Sequence, residues 1–292
     1  MDKIGYVATI GTFDGVHLGH QFVLRQLVQR AREHSLGSLV ITFDRSPRQQ
    51  QVLTPLDEKL QLIRQTGVER VEVLPFTPEL KSLTARRFMD EVLRQQLDVK
   101  ELLIGYDNHF GHRAPGSNEG FDDYVDYGRE LGISVVGLPP EGSVSSSLVR
   151  RQLLDGDVRA AAESLGRYYA ISGHVGHGYH IGTGLGFPTA NIIPDDGHQL
   201  IPAAGAYAVS VCIESGVFAG MMNIGTRPTF EGHHTTLEVN ILNHDEDLYE
   251  KPISVRLVER IREERRFSSP EALRQQLNDD AAKVQEIINK NR

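Results

Sequence analysis

The stretch GTFDGVHLGH, from Gly11 to His20, places two imidazoles three residues apart, at His17 and His20, among Gly11, Gly15 and Gly19. An apolar, strand-like run precedes it and a helix-like run follows. Glycines let a backbone adopt positive φ and come close to a ligand. A helix start adds N–H groups without intrahelical partners and the positive end of a dipole. Two imidazoles on one turn can face the same ligand, donate hydrogen bonds to phosphoryl oxygens and stabilise developing charge. The turn therefore suits a nucleotide phosphate, with Phe13 and Asp14 inside it. It is not a P-loop, because no Gly-Lys-Ser/Thr follows. The competing reading is a glycine-rich turn carrying surface histidines.

A second cluster is SGHVGHGYHIGTGLGFPTANI, with six glycines between Gly173 and Gly186. A loop containing Gly178, Gly182 and Gly186 can wrap its backbone amides around a polyphosphate. Pro188, Thr189, Ala190 and Asn191 follow. The Thr189 hydroxyl and the Asn191 carbonyl oxygen are hard ligands that suit Mg²⁺ beside ATP phosphates. Two apart on a strand, they share a face. The alternative is a Gly-Pro hairpin with Thr and Asn as turn formers. His174, His177 and His180 have a metal-like spacing, but residues three apart on a strand point to opposite faces, so no transition-metal site is expected.

The elements that must position these clusters have two grammars. The first half alternates. β-rich runs are expected at Ile4–Ile10, Ser38–Phe43, Arg70–Phe76, Glu101–Tyr106 and Ser134–Leu138. Between them lie stretches of helical period, such as Val23, Leu24, Leu27, Val28 and Ala31. Thr54 is expected to cap a helix that has Pro55 in its first turn, with Asp57 completing a capping-box spacing. Strands alternating with helices predict a parallel sheet covered on both faces, with ligands at the carboxyl ends of the strands. From Ile171 onward the pattern is strand and turn, including a hairpin with Ser215-Gly216 at its tip. Short strands with Gly/Pro turns predict a small barrel. A helix capped by Ser269 with Pro270 in its first turn closes the chain. The stretch Gly156–Gly166 reads either as the last helix of the first domain or as the linker.

Composition narrows the class. A length of 292 residues suggests two domains, and a net charge of −8 argues against a general nucleic-acid surface. No apolar run reaches the ~20 residues needed to span a membrane, and the first residues lack a signal peptide's h-region. The single cysteine, Cys212, fits a reducing cytoplasm and is expected to be a small buried hydrophobe. The charges of RIREERR are expected to form mostly a solvated face.

GTFDGVHLGH resembles the G-x-F-D-G-x-H-x-G-H motif of the nucleotidyltransferase domain of bacterial FAD synthetases, within the wider H-x-G-H superfamily. ITFDRSPRQ, IGYDNHFG and VSSSLVRRQLLDGDV continue the likeness in order. It implies ATP contacts for Asp107 and, at a helix start near the phosphates, for Ser145, Ser147 and Arg150. Ser46 stands where that family usually has histidine, and it can supply at most one hydrogen bond and no positive charge. Asn108 replaces a usual aromatic.

The second cluster resembles the G-x-x-L-G-F-P-T-A-N signature of riboflavin kinases, and GAYAV, NIGTRPTF and the segment from Leu237 to Phe267 extend the match. That likeness makes Glu238, in TLEVNIL, the general base, and makes Arg262 and Phe267 flavin-site candidates. Read alone, Glu238 would be a solvent-facing strand residue. Thr183 replaces a frequent basic residue, while Asn240 and Glu250 replace a usual histidine and glycine and are expected to be edge-of-site variation.

Together the resemblances imply a bifunctional riboflavin kinase/FAD synthetase of the bacterial type. Residues 1–162 would be a Rossmann-like α/β nucleotidyltransferase domain, and 163–292 a small all-β kinase barrel with a C-terminal helix. Riboflavin, FMN, FAD and ATP are the implied small-molecule partners, with Mg²⁺ in both steps, no nucleic acid and no membrane. The alternatives are a riboflavin kinase with an impaired synthetase half, or a regulator that binds flavin or nucleotide without turnover.

Overall fold

A computed structural model describes residues 5–44, 51–105, 110–112, 119–139, 142–177, 186–229 and 232–291. The expected Asp107, Gly178 and Gly182 contacts, together with Ser46, Asn108, His180 and Thr183, lie outside these residues. The chain forms two compact units, 1–146 and 147–292.

The first unit alternates strand and helix. It runs through β1 (Tyr6–Ile10), α1 (Leu18–Glu33), β2 (Gly37–Phe43), α2 (Leu56–Gln65) and β3 (Arg70–Leu74). Next come two short helices, α3 (Pro78–Ser82) and α4 (Ala85–Arg87), the second leading into a π-helical stretch, Phe88–Gln96. β4 (Val99–Gly105), α5 (Phe121–Leu131) and β5 (Ser134–Leu138) complete it. The strands form one parallel sheet in the order β3-β2-β1-β4-β5. Successive residues of a strand face opposite sides, and both sides here are apolar. Val7, Val40 and Leu103 pack against Leu24, Leu27 and Val28 of α1. Ala8, Leu39 and Leu102 pack against Phe88, Met89 and Tyr124 on the other face.

The N-terminus of α2 differs from the expected one. Pro55 stands at the cap position, and no side chain caps the helix. Thr54 is buried, and its N–H donates to Asp14 Oδ1 at 3.4 Å instead. The loop before the helix is thus spent on holding the motif turn.

The second unit opens with α6 (Ser146–Leu154), whose first residue still belongs to the first unit, and α7 (Val158–Leu165). Then follow β6 (Tyr169–Gly176), β7 (Ala190–Pro194), β8 (Gly205–Ile213), β9 (Gly216–Thr229), β10 (Gly232–Ile241), β11 (Pro252–Arg262) and α8 (Pro270–Lys290). The strands close into a barrel in the order β10-β7-β6-β11-β8-β9. α7 packs on β6 and β11. On α8, Val284, Ile287 and Ile288 cover Ala206, Ala208 and Val258 of the barrel. Ser269 caps α8 as its sequence predicts, accepting from the Ala272 N–H at 3.2 Å. The β8–β9 hairpin turns one residue early, on Glu214-Ser215, because Gly216 already pairs with Ile213. Cys212 is half-buried rather than buried.

Candidate functional sites

In the first unit the motif turn sits at the carboxyl end of the central strand, β1. Two apolar side chains nail it down: Phe13 and Val16 are buried in the core that also holds Leu24 and Val40. Both have positive φ, 49° and 39°, flanking Gly15 at 85°. Backbone in this region costs about 1–3 kcal/mol for each non-glycine residue, so the surrounding packing must over-determine it. Gly19 has a different task. A Cβ there would stand 3.3 Å from His17 Cε1, so its absence lets the imidazole lie across the helix start.

His17 is buried and caps α1. Its Nδ1 accepts the His20 N–H at 3.3 Å. That hydrogen bond places the proton of a neutral His17 on Nε2. The two rings stack, 3.7 Å between centroids and 19° from parallel. The edge of Phe13 closes the far side of His20, at 5.2 Å. Burial first, then the His17 ring and the Lys59 ammonium, push His20 well below its ordinary 6.5, so it is neutral at pH 7. Its Nδ1 has no hydrogen-bond partner among the described residues. The pair is thus two nearly parallel, stacked rings at the helix start, with His20 held neutral. Beside them the helix geometry leaves the Leu18 and Gly19 amides without intrahelical partners.

Asp14 does not face outward. It is buried and accepts the N–H groups of Leu53 (2.8 Å) and Thr54, and its own carbonyl accepts from Ser146 Oγ at 2.9 Å. Its role in the apo protein is architectural. Gly11 closes the strand by donating to Ile41 O at 3.1 Å. Ser145 precedes α6, while Ser147, exposed, and Arg150 lie on that helix. Lys59 carried no signal in the motif, yet it lies beneath the turn. It is 7% exposed, and its Nζ donates to Thr12 O (3.3 Å), Thr42 Oγ1 (3.2 Å) and Phe43 O (2.9 Å).

In the second unit one cavity of about 310 Å³ gathers Thr189, Glu238, Arg262 and Phe267 from three separate stretches of chain. Barrel closure does this. Glu238 on β10 sits opposite Asn191 on β7 and Asn223 on β9, and directly paired residues of antiparallel strands share a face. Asn191 Nδ2 donates to His177 O at 3.2 Å, so its carbonyl oxygen is the atom left for a cation. Gly186 turns with φ 83° just before Phe187 and the exposed Pro188.

Asn240 is not edge variation. It is buried, lines the same cavity, and donates from Nδ2 to Pro188 O at 2.7 Å, fastening the Pro188–Asn191 segment to β10. Arg262 is held from outside the cavity. Its Nε and Nη2 reach Asp280 Oδ2 at 2.8 Å, and Gln276 Nε2 donates to Asp280 Oδ1 at 2.6 Å. The guanidinium lies 5.7 Å from the Phe267 ring centre, with Arg265 at 4.9 Å. The charges of RIREERR are mostly solvated, but Arg262 pairs with buried Asp280, and Glu264 and Arg265 line the cavity. Sequence reasoning missed Asn223, Asp280 and Lys59. Each is a polar residue on an apolar stripe, and that was the available signal.

Residues 1–148 match the FAD synthetase family and residues 165–288 the riboflavin kinase family. Relatives named bifunctional riboflavin kinase/FMN adenylyltransferase include one from Pseudomonas fluorescens, 39% identical over 95% of this chain and 91% of that protein. Those of Escherichia coli K12 (37%, covering 97% and 93%) and Bacillus subtilis (34%, covering 94% and 90%) are similar. A crystal structure titled as a macrolide-efflux protein from Streptococcus pneumoniae has the same fold, with a TM-score of 0.87 at 30% identity, covering 96% of this chain and 94% of that one. Among the described residues of this chain no helix is long and apolar enough to cross a membrane. Matched along both halves and at this identity, the chain belongs to the bifunctional riboflavin kinase/FMN adenylyltransferase family.

Proposed function

We propose that the barrel transfers the γ-phosphoryl group of ATP to riboflavin, giving FMN and ADP, and that the α/β unit transfers AMP from a second ATP to FMN, giving FAD and pyrophosphate. The observation that carries this reading is the barrel cavity, where a carboxylate, a hydroxyl and an aromatic ring from distant parts of the chain meet.

The nucleophiles explain why the two sites differ. Riboflavin attacks through a 5′-hydroxyl, which must lose its proton as the O–P bond forms. Glu238 is the base that takes it. Thr189 and Asn191, both with oxygens suited to a hard cation and close to Glu238, would hold Mg²⁺ with the nucleotide phosphates, and the ion would offset their charge. Phe267, with Arg262 and Arg265 against it, gives the flavin ring an apolar wall. FMN attacks through a phosphate monoester, whose second pKa is about 6, so it is already an anion at neutral pH. It needs no base. His17 and His20 donate to the ATP phosphates and stabilise charge as pyrophosphate leaves, rather than acting as nucleophiles. Gly11, Gly15, Ser145, Ser147 and Arg150 supply further phosphate contacts, and Mg²⁺ serves this step as well. We infer a functional division at 162/163, in the interval between the two family matches, and an enzyme of the cytoplasm.

Incubation with riboflavin, ATP and Mg²⁺, followed by chromatography of the flavins, tests the proposal. FAD supports both activities. FMN alone means a kinase with an impaired synthetase half, and unchanged riboflavin means a binding protein.

A further inference from the structure

Lys59 occupies a costly position. It stands on α2 between Leu56, Leu60 and Ile63, on the face that carries the helix into the core. An aliphatic residue would complete that stripe without burying a charge. Instead the ammonium is saturated. Thr42 Oγ1 donates its own proton to Thr12 O at 3.3 Å, so it can only accept from Lys59. All three Nζ–H donors therefore end on oxygens: Thr12 in the motif turn, and Thr42 and Phe43 at the end of β2. Among the described residues, no hydrogen-bond partner of the ammonium is a carboxylate. Asp14 on the turn and Asp44 after β2 act on it at longer range, against the burial that disfavours its charge.

We propose that Lys59 is a positioning residue for adenylyl transfer: its saturated ammonium ties the start of the motif turn to the end of β2 and fixes where the His17 and His20 rings stand. This inference rests on the adenylyl-transfer reading of the first unit. Two features give the tie a consequence. The turn holds Phe13 and Val16 in positive-φ backbone immediately after Thr12, so that carbonyl is where restraint is needed. The charge also acts on His20, together with His17 on the same turn, and favours the neutral ring. A neutral His20 stacks on His17 without adding a second charge beside it. A cation fixed below adds positive potential where phosphate charge accumulates.

The test uses the full chain with Lys59→Met, which keeps the unbranched apolar stem of the side chain and removes the donors. FAD formation from FMN and ATP should lose about 10–100-fold in kcat, with KM for ATP within about threefold, because misplacement of groups acts in the transition state. Riboflavin phosphorylation by the same preparation should stay within about twofold. The His20 ring, followed by NMR, should titrate at higher pH than in the parent. Thr42→Val keeps the charge and removes one acceptor. It should lower kcat in the same direction by a smaller factor, and it decides the matter if Lys59→Met does not fold. Adenylylation within twofold of the parent in both variants, with an unmoved His20 titration, would overturn the inference. A parent chain that makes no FAD would instead remove the reading beneath it, while the His20 titration would still show whether Lys59 acts on the pair.

Discussion

The two units meet the same ligand, a nucleoside triphosphate, with opposite means. The α/β unit offers stacked imidazoles and a buried cation at the end of a parallel strand, and its turn is anchored by Phe13 and Val16 in the core. The barrel offers a carboxylate and amide oxygens in a cavity between strands, with its cation, Arg262, held at the rim by Asp280. On the proposed reading, the difference follows the nucleophile. A hydroxyl must be deprotonated, so the barrel needs an acceptor. A phosphate arrives ionised, so the α/β unit needs donors. Sites that share a substrate need not share chemistry, and the attacking group explains more of the architecture than ATP does.

The sharpest way to break this contrast is Glu238→Gln. FMN formation should fall by about 10²–10⁴-fold while conversion of FMN to FAD is unchanged. Loss of both activities in a folded variant would mean that the sites are not separate. His20→Ala should do the reverse, lowering FAD formation by about 10²–10³-fold and sparing the kinase. Steady-state assays with riboflavin or FMN as the starting flavin read both cases. Asp280→Leu leaves the Arg262 guanidinium without its partner beside the cavity, where each is mostly buried. We expect a stability loss of about 3 kcal/mol in urea unfolding and weaker riboflavin binding, with FAD formation from FMN spared. Asn240→Ala removes the hydrogen bond to the Pro188 carbonyl and should cost about 0.5–1.5 kcal/mol, together with a higher KM for ATP in the kinase assay.

The smallest effect is a pH dependence. His20 has a depressed pKa in the folded chain, so below its ordinary 6.5 the unfolded state binds a proton that the folded state refuses. Stability is therefore full above that pH and declines as pH falls below it. His20→Phe should flatten that part of a stability–pH curve measured by denaturant unfolding. A curve of unchanged slope would show that the ring is not held neutral.

Much of this was legible in the sequence, for identifiable reasons. Leu24, Leu27, Val28 and Ala31 recur with helical period, and their face is the one buried against the sheet. Thr189, Glu238, Arg262 and Phe267 were suggested by motif likeness, and barrel closure brings them to one cavity although 78 positions separate the first from the last. What the sequence hid is tertiary. Asp14 reads as a ligand in a motif, but buried amides of Leu53 and Thr54 claim its carboxylate. Thr54 is drawn by its N–H to Asp14, and Pro55 takes the cap position of α2. Lys59 draws no notice in the sequence, because a long side chain on an apolar stripe usually snorkels to water. Asn240 reads as a rim substitution until the fold brings the Pro188 carbonyl to it.

The closed barrel and the open sheet also differ in what they expose when the chain is stressed. A barrel has no edge, whereas the parallel sheet ends in β3 and β5, five residues each. An outer strand keeps unsatisfied peptide groups that can recruit a neighbour's backbone. On β3 the charges of Arg70 and Glu72 blunt that tendency, while β5, SVVGL, carries none. Self-association on heating should therefore begin along β5, and Ser134→Lys, at an exposed position of that strand, should delay clouding without touching either proposed site.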